Sequence, residues 1–479
     1  MRHAPSHLSV ALTLLGLAAC ATDPATTSDG SSGGQTTTTD STAAATMTTG
    51  ATVTAADTSS GDDAGTVAPT TGEPVTTAGT TDVKEAICGD GYVDPGEPCD
   101  DGNAEVDDGC NSNCERTGVV QWTVEFDGGA AKDDSFSGAV VDGTGRIIVV
   151  GYENNADIDQ RMLVAAYDPS GKELWKKLLP GAQGLDASLT DVAVDAADNI
   201  YAVGYEDIDA DTSQGILRKL DKTGKQLWAF EAPPQLPGFA SLQGVAVTAD
   251  AVYSTGREDL EKGEQMVTRR HDAMTGEEVW SAVPAVDGVY VSGYAVVVRD
   301  DEVIAVGQSQ NASHVPAPLI AVYSPAGAEQ SLDVEDTVGS YTSVKLAANG
   351  DLVLAGFFSE DDTGFDFAVR RIDAEHKVLW TEKFDGEGLA DFANAVAVGP
   401  DDRIAAGGFV AHNGQAEDIF VMRLEPGGAP IWTASYNDPD DLGDSVHAVV
   451  FTPESVVAIG TTFAIGHGYN GWMRAYAIE

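Results

Sequence analysis

The chain has 479 residues, which is too long for one ordinary core and predicts several segments or a single large repeat domain. Its 76 acidic residues outnumber its 26 basic ones, so the formal net charge is −50. A surface of that charge repels nucleic acid and anionic lipid headgroups, which argues against both as partners, and it attracts Ca²⁺ and basic proteins. The alternative interpretation is that the acidity only keeps the protein soluble.

Residues 1–20 are typical of an export signal. The apolar run from Leu8 to Leu17 carries no charge and is too short to span a bilayer. The stretch Leu17-Ala18-Ala19-Cys20 that follows resembles the bacterial lipobox. The resemblance implies that Cys20 becomes the lipidated first residue of the mature protein, and Ala21 after it favours the outer membrane. An ordinary cleaved signal with an incidental cysteine is the alternative.

Residues 21–86 form a low-complexity segment that is rich in Thr, Ser, Ala, Gly and Asp and contains no aromatic residue. Such a composition cannot bury enough apolar surface to offset the entropy that ordering would cost. We therefore expect a disordered stalk that holds the folded part of the chain away from the membrane.

The other four cysteines lie in a short module at residues 87–116. They are Cys88, Cys99, Cys110 and Cys114. An even number in an exported segment predicts two disulfides, although three pairings are open, and a four-thiolate zinc site is the alternative. The stretch Cys88-Gly-Asp-Gly-Tyr-Val-Asp-Pro-Gly-Glu-Pro-Cys99-Asp-Asp-Gly-Asn103 resembles the cysteine-rich repeat of myxobacterial surface proteins. That resemblance implies an exported module and no particular activity.

Oxygen-bearing side chains are crowded between these cysteines. They are Asp94, Asp100, Asp101, Asn103, Asp107 and Asp108. Because Ca²⁺ prefers cages of such oxygens, these residues are the candidate metal ligands. Their spacing matches no EF-hand loop, and the alternative is that they make turns.

Residues 118–479 repeat with a period of about 52 residues. The first marker is a glycine that ends an apolar run, at Gly151, Gly204, Gly256, Gly307, Gly356, Gly408 and Gly460. The second is a tryptophan, at Trp122, Trp175, Trp228, Trp280, Trp380 and Trp432, with Leu332 in the remaining slot. Seven glycines at one register predict seven units, and we interpret the tryptophans as packing residues between units.

Each unit contains four short apolar runs bounded by turn residues, which is typical of strands. In the second unit they are Asp191–Asp195, Ile200–Val203, Gly215–Leu220 and Lys225–Phe230. Four-stranded units repeated in a ring predict an all-β fold, a seven-bladed β-propeller. The last unit shows three strands, so we predict that the orphan strand Val119–Phe126 completes its blade in a 3+1 closure. An open array is the alternative.

The repeat also resembles known families. Asp418-Ile-Phe-Val-Met-Arg-Leu-Glu425-Pro-Gly-Gly-Ala-Pro-Ile-Trp432 is similar to the bacterial β-propeller repeat often called SBBP. Asp168-Pro-Ser-Gly-Lys-Glu-Leu-Trp175 and Asp221-Lys-Thr-Gly-Lys-Gln-Leu-Trp228 look like quinoprotein W-motifs. These resemblances cover residues 118–479 and imply the fold, whereas propellers host many activities.

In a propeller, the loops from strand two to strand three and from strand four to the next strand one share one face, called here the upper face. These loops are acidic at Glu153–Asp159, Glu206–Asp211, Glu360–Asp362 and Asp438–Asp444. They predict a ring that holds Ca²⁺ or a basic partner, or else a solvated rim.

The innermost strands are expected to begin at equivalent positions near the central channel. These positions are Gly138, Asp191, Gly244, Tyr294, Ser343, Ala395 and His447. The polar members Asp191, Tyr294, Ser343 and His447 are the candidates for the channel entrance.

The sequence carries no H-E-x-x-H, G-x-S-x-G or P-loop motif. We therefore predict a lipid-anchored surface or periplasmic protein whose propeller binds a protein or glycan without catalysis, or serves as an assembly scaffold. The alternative is a quinoprotein-like dehydrogenase that uses pyrroloquinoline quinone and Ca²⁺ at the central pocket. Against it, residues 118–479 lack the adjacent cysteine pair common in that family, and seven units are predicted where its alcohol dehydrogenases have eight.

Overall fold

A computed structural model describes residues 88–478 except for 95–96, 104, 106–107, 130–131, 155–159, 287–288, 360–363 and 441. Cys20, the segment 21–86, Asp107, the acidic loop 360–362 and parts of the acidic loops 153–159 and 438–444 therefore lie outside the described residues. Within the described part, the one helical element is a 3-10 turn at Ala182–Gly184. No helix among these residues has the length and apolar character needed to cross a membrane.

Strands β1 to β28 form seven antiparallel sheets of four strands each. The chain enters through β1 (Val120–Phe126). Blade 1 then contains β2 (Ser135–Val141), β3 (Ile147–Glu153), β4 (Arg161–Tyr167) and β5 (Glu173–Leu179). Blade 2 contains β6 (Ala187–Val194), β7 (Ile200–Asp207), β8 (Ser213–Leu220) and β9 (Gln226–Ala232). Blade 3 contains β10 (Ala240–Val247), β11 (Ala251–Leu260), β12 (Gly263–Asp272) and β13 (Glu278–Ala282).

The remaining blades repeat this order. Blade 4 contains β14 (Tyr290–Arg299), β15 (Glu302–Gln310), β16 (Pro316–Tyr323) and β17 (Glu329–Val334). Blade 5 contains β18 (Val338–Leu346), β19 (Leu352–Ser359), β20 (Asp366–Ile372) and β21 (Val378–Phe384). Blade 6 contains β22 (Phe392–Val398), β23 (Ile404–Ala411), β24 (Glu417–Leu424) and β25 (Pro430–Tyr436).

Blade 7 joins the two ends of the propeller. It contains β26 (Ser445–Phe451), β27 (Ser455–Ala464) and β28 (Gly468–Ala477), and β1 pairs antiparallel with β28 as the outermost strand. The predicted 3+1 closure and the all-β fold of seven four-stranded blades are confirmed, and an open array is wrong.

Several strands are longer than predicted. Strand β6 begins at Ala187, four residues before the predicted start at Asp191, and β7 extends past Val203 to Asp207. The prediction began β6 at the polar Asp191 and ended β7 before the marker Gly204, but the backbone ladder continues past both, because pairing at a strand end needs no apolar side chain.

The marker glycines allow strands one and two of each blade to pair closely. A Cβ atom added at Gly151 would overlap the carbonyl oxygen of Ser135, and one added at Gly204 would overlap that of Ser188. The same clash recurs in the other five blades. The glycine register of the sequence therefore reflects a steric requirement of every sheet.

Each of the six marker tryptophans packs on the next blade. The ring of Trp122 lies against Gly171, which has a φ of 81° in the turn between β4 and β5, and an added Cβ would lie 2.7 Å from the ring. The equivalent pairs are Trp175 with Gly224, Trp228 with Gly276, Trp280 with Gly327 and Trp380 with Gly428. The interpretation of these tryptophans as packing residues is confirmed.

The cysteine-rich module leads directly into the propeller. Its disulfides join Cys88 to Cys114 and Cys99 to Cys110, so the zinc alternative is wrong. A β-bridge pairs Thr117 with Thr433, and Gly118 lies against the ring of Trp432. In the other tryptophan interfaces the corresponding glycine belongs to the turn between strands three and four. The linker before β1 therefore takes the place of that turn in blade 7.

Candidate functional site in the central channel

Every innermost strand contains a β-bulge at the same place. In β6, Leu189 pairs with Gly204 and Asp191 pairs with Val203, which leaves Thr190 as the extra residue. The seven extra residues are Ser137, Thr190, Gln243, Tyr294, Thr342, Asn394 and His447. All seven side chains are polar, although β-bulges need no polar residue. The innermost strands of a propeller surround its central channel, so these residues, each near the middle of its strand, form a ring that is called here the bulge ring.

The bulge corrects the predicted alignment of the innermost strands. Tyr294 and His447 belong to the bulge ring, whereas Asp191 and Ser343 are the residues that follow it. The sequence predicted that these four residues begin the innermost strands, but all four lie inside their strands. A bulge shifts the register by one residue without any change in composition, so a single sequence does not reveal it.

Four members of the bulge ring bond to the next blade. Oγ1 of Thr190 donates to the carbonyl of Leu242 at 2.7 Å, and Oγ1 of Thr342 donates to that of Ala393 at 2.6 Å. In the same way, Asn394 donates to Val446 at 3.0 Å and His447 to Phe136 at 3.0 Å. Each acceptor directly precedes the bulge residue of the neighbouring blade, so each of these bonds connects one innermost strand to the next.

The residues after the bulge reinforce this connection. Oδ2 of Asp191 accepts the backbone N–H of Val245 in blade 3 at 2.9 Å, and Oδ1 accepts that of Val192 at 2.8 Å. Oγ of Ser343 accepts the backbone N–H of Val396 in blade 6 at 3.3 Å. The hydroxyl of Tyr294 instead accepts from Gln308 within its own blade at 3.0 Å. Of the four predicted residues, Asp191, Ser343 and His447 thus bond to the next blade and Tyr294 bonds within its own, and none of these bonds joins two of the four.

One further charged residue belongs to this site. Desolvation by the surrounding strands raises the pKa of the Asp191 carboxyl, and the ammonium of Lys345 opposes that rise. Lys345 is exposed in β18 of blade 5, across the ring from blade 2. In the innermost strands as described, the equivalent positions carry only Val or Ala: Val140, Ala193, Ala246, Val297, Ala397 and Val450. The sequence prediction missed Lys345, although a lysine between Val344 and Leu346 was the available signal.

His447 is held in its neutral form. Burial lowers the pKa of its imidazole, and Nδ1 donates its proton to the Phe136 carbonyl. This geometry gives His447 a structural hydrogen bond between blades 7 and 1. What the innermost strands offer chemically is a polar ring with the carboxyl of Asp191 beside it and the ammonium of Lys345 three residues beyond the bulge of blade 5.

Part of the predicted acidic rim is buried. Glu153 pairs with Lys176 at 2.6 Å, and Glu206 pairs with Arg218 at 3.2 Å. Asp444 is 1% exposed and accepts the backbone N–H groups of Asp438 and Phe463. These carboxylates are held in ion pairs and loop hydrogen bonds, so they are not the exposed charges of the upper face.

Exposed carboxylates remain on the upper face. Asp127 lies between β1 and β2, and Asp385 and Glu387 lie between β21 and β22. They sit on loops whose ends are anchored by buried aspartates, Asp134 in the first loop and Asp391 in the second. The upper face therefore presents negative charge from fixed loops.

The candidate calcium ligands of the cysteine-rich module make local hydrogen bonds. Both oxygens of Asp100 accept backbone N–H groups, from Gly89, Asp90, Gly91 and Gly102. These bonds lower the pKa of its carboxyl against the opposing effect of desolvation.

Other members of the predicted ligand set join the same network. Asn103 donates to Asp108 at 3.0 Å, and Asp101 accepts the N–H of Asn103 at 3.3 Å. Asp94 donates its N–H to the carboxylate of Glu97 at 2.7 Å. Potential ligand atoms of Glu97, Asp100 and Cys114 lie within 4.8 Å of one another, but the sulfur of Cys114 belongs to a disulfide. Calcium binding here stays a prediction.

No protein-family model and no curated protein matches the chain. Among solved structures, it is similar to Drosophila plexin A in complex with semaphorin 1b, with 11% identity over 76% of this chain and 88% of that chain and a TM-score of 0.48. A protein of unknown function from Dyadobacter fermentans gives 11% identity, 76% and 99% coverage and a TM-score of 0.43. A protein of unknown function from Bacteroides caccae has 13% identity over 61% of this chain and 93% of that chain, with a TM-score of 0.38. The strand pairing of the chain itself establishes it as a seven-bladed β-propeller.

Proposed function

We propose that this protein is an exported, lipid-anchored binding module that presents a protein or glycan ligand site on the upper face of its propeller. The observation that carries the proposal is a closed ring of blades whose innermost strands are bonded to one another, with buried Asp134 and Asp391 anchoring the loops that bear the exposed carboxylates. A rigid scaffold with a charged loop face lowers the ordering cost of binding. Non-catalytic binding and scaffolding both use such a face.

The binding proposal is tested with envelope extracts and two matched variants. The upper-face variant combines Asp127→Asn, Asp385→Asn and Glu387→Gln. The control variant makes the same types of change in lower loops, at Asp250, Asp301 and Glu454, which are also exposed. Both variants lose three negative charges, so a nonspecific effect of net charge is equal in the two.

We expect the wild-type protein and the control variant to capture the same partner, and the upper-face variant to lose it. Capture is measured by mass spectrometry with Ca²⁺ or a chelator present. Equal capture by all three proteins would place the site elsewhere, and no partner under either condition would contradict the binding module.

Anchoring is tested separately at Cys20. The two disulfides support an oxidising compartment, where such bonds persist. We expect the wild-type protein to incorporate radioactive palmitate in the native host and to fractionate with membranes, and Cys20→Ala to lose both properties. Equal labelling of the two proteins would overturn lipidation at Cys20 and leave the binding proposal intact.

The dehydrogenase alternative makes a distinct prediction. Pyrroloquinoline quinone with Ca²⁺ would bind in the central pocket and raise the melting temperature of the protein. On the binding-module proposal we expect neither a thermal shift nor a change in the absorption spectrum of the quinone. A saturable shift would favour the enzyme.

A further inference from the structure

One interface of the propeller departs from the tryptophan–glycine pairing. Between blades 4 and 5, Leu332 of β17 takes the place of the tryptophan, and His376 takes the place of the glycine in the turn between β20 and β21. His376 keeps the left-handed backbone of that turn, with a φ of 62°, although it carries a side chain. Both members of the pair are thus changed at the same interface.

The double change leaves an open cleft in the side wall, with a volume of about 470 Å³. Its apolar floor includes Leu332 together with the buried residues Ile320 and Ile372. Asp333 and His376 border it, and Nδ1 of His376 lies 2.5 Å from Oδ2 of Asp333. The imidazole is therefore tied to the strand that carries Asp333.

The neighbouring interfaces show what fits this space. In blade 3, the indole of Trp280 lies on Gly327, and its Nε1 donates to the carbonyl of Pro325 at 2.9 Å. In blade 5, the indole of Trp380 lies on Gly428 and donates to Pro426 at 3.2 Å. The fold thus places a flat aromatic ring at this position on both sides of the cleft.

The charge around the cleft indicates which residues should flank a bound aromatic ring. Asp333, Glu335 and Glu375 all line it, and Arg370 pairs with Glu335 at 2.8 Å. Besides Glu335, the carboxylates of Asp333 and Glu375 thus border the cleft, and that of Asp333 lies beside the imidazole of His376. A ring flanked by lysine or arginine gains attraction here, and an acidic segment is repelled.

We propose that this cleft binds an aromatic side chain from a basic segment of a partner protein. The ring would fill the space that an indole fills in the neighbouring interfaces, and the flanking cations would face Asp333 and Glu375. The site lies on the side wall and not on the upper face, so it stands whether or not the upper face binds a ligand.

The chain itself offers no suitable occupant. Residues 1–87 contain no Phe, Trp or Tyr. The most exposed aromatic side chain of the described residues is Tyr92, at 74%, and it lies two residues after Asp90, whose carboxylate accepts the Tyr92 N–H. A second copy that inserted Tyr92 would bring carboxylates against carboxylates. The observations therefore favour a separate, basic partner.

The test uses the full chain and two fluorescein-labelled peptides, Lys-Lys-Trp-Lys-Lys and Lys-Lys-Ala-Lys-Lys, with binding measured by fluorescence anisotropy. The double variant Leu332→Trp with His376→Gly restores the repeat pair and closes the cleft. Leu174→Trp is the control, because it adds an indole at a position that is 48% exposed on β5. A third protein, Asp333→Asn with Glu375→Gln, keeps the cleft open and removes two charges.

We expect wild type and Leu174→Trp to prefer the tryptophan peptide by about tenfold and the closed variant to lose that preference. The variant without the two charges should bind it about tenfold more weakly at low salt. Equal affinity for both peptides in wild type, or an unchanged preference in the closed variant, would overturn the proposal. A dimer in sedimentation that Tyr92→Ala dissolves would assign the cleft to a second copy and also overturn it.

Discussion

Four blades each bury a carboxylate near the upper face, but its partners differ. The partner is an arginine in blades 2 and 3, whereas backbone N–H groups take that role in blades 6 and 7. In blade 3, Glu258 pairs with Arg269 at 2.6 Å and accepts the N–H of Gln235, and in blade 2 Glu206 pairs with Arg218. In blade 6, Asp391 accepts the backbone N–H groups of Gly386 and Ala411. Asp444 is bonded in the same manner in blade 7.

Both arrangements anchor the loop that leads into an innermost strand, but they depend on different conditions. A guanidinium neutralises the carboxylate of blades 2 and 3, so loss of that base leaves a buried charge. Backbone N–H groups only partly offset desolvation in blades 6 and 7, so burial raises the pKa of Asp391 and raises that of Asp444 to about 7. One pair of blades is therefore sensitive to the loss of one side chain, and the other to pH.

Removal of the base should have the largest effect. We expect Arg269→Ala to lower the free energy of unfolding by about 3 kcal/mol, because it leaves Glu258 buried and unpaired. Arg403→Ala is the control, since Arg403 is 39% exposed and pairs with exposed Asp401, and it should cost less than about 1 kcal/mol. Urea denaturation measures both, and similar losses would show that the ion pair of blade 3 is not special.

A pH series should separate the two kinds of blade. The pKa of Asp444 in the folded protein, about 7, exceeds its ordinary value of 3.8, so the folded state binds the proton more tightly. The resulting stability is fully present below about pH 4 and is lost as the pH rises through about 7, by roughly 1.4 kcal/mol per unit of the pKa difference. Asp134, whose pKa burial raises to about 6, adds a similar loss.

We expect Asp444→Asn to flatten the fall in stability between pH 5 and 8 by on the order of 2 kcal/mol. Asp301→Asn, which changes an exposed carboxylate in the lower loop between β14 and β15, should leave the slope unchanged. Thermal unfolding at fixed ionic strength measures both profiles. An Asp444→Asn profile that is parallel to the wild-type profile would contradict the role of this carboxyl.

The bulge ring should show the smallest effect. Thr342→Val keeps the shape of the side chain and removes the bond to Ala393, so we expect a loss of about 1 kcal/mol. Thr190→Val removes the equivalent bond to Leu242, and the two losses should add because the residues lie in separate blades. Wild-type stability in both single variants would mean that the ring bonds do not hold the blades together.

Much of the fold was predictable because steric requirements repeat in the sequence. Gly151 and its equivalents and the tryptophans from Trp122 onward mark contacts that recur in every blade or nearly so. The bulge and the buried carboxyls were not predictable in this way. Asp133 and Asp134 are adjacent and chemically identical, yet Asp134 is buried, at 1% exposure, and Asp133 is only half-buried. Likewise, Leu332 stood out in the repeat, but only the fold brings it to His376.

The closure of blade 7 has a consequence for the order of assembly. Nε of Arg474 in β28 donates to Oγ1 of Thr123 in β1 at 3.0 Å, although the two residues are 351 positions apart in the chain. Strand β1 is thus synthesised first and must wait for the last strand before it finds its partner. Because long-range pairing is slow, this blade is expected to form last. Until then the growing propeller carries an open edge, and chaperones or proteases acting in that interval would meet β1 first.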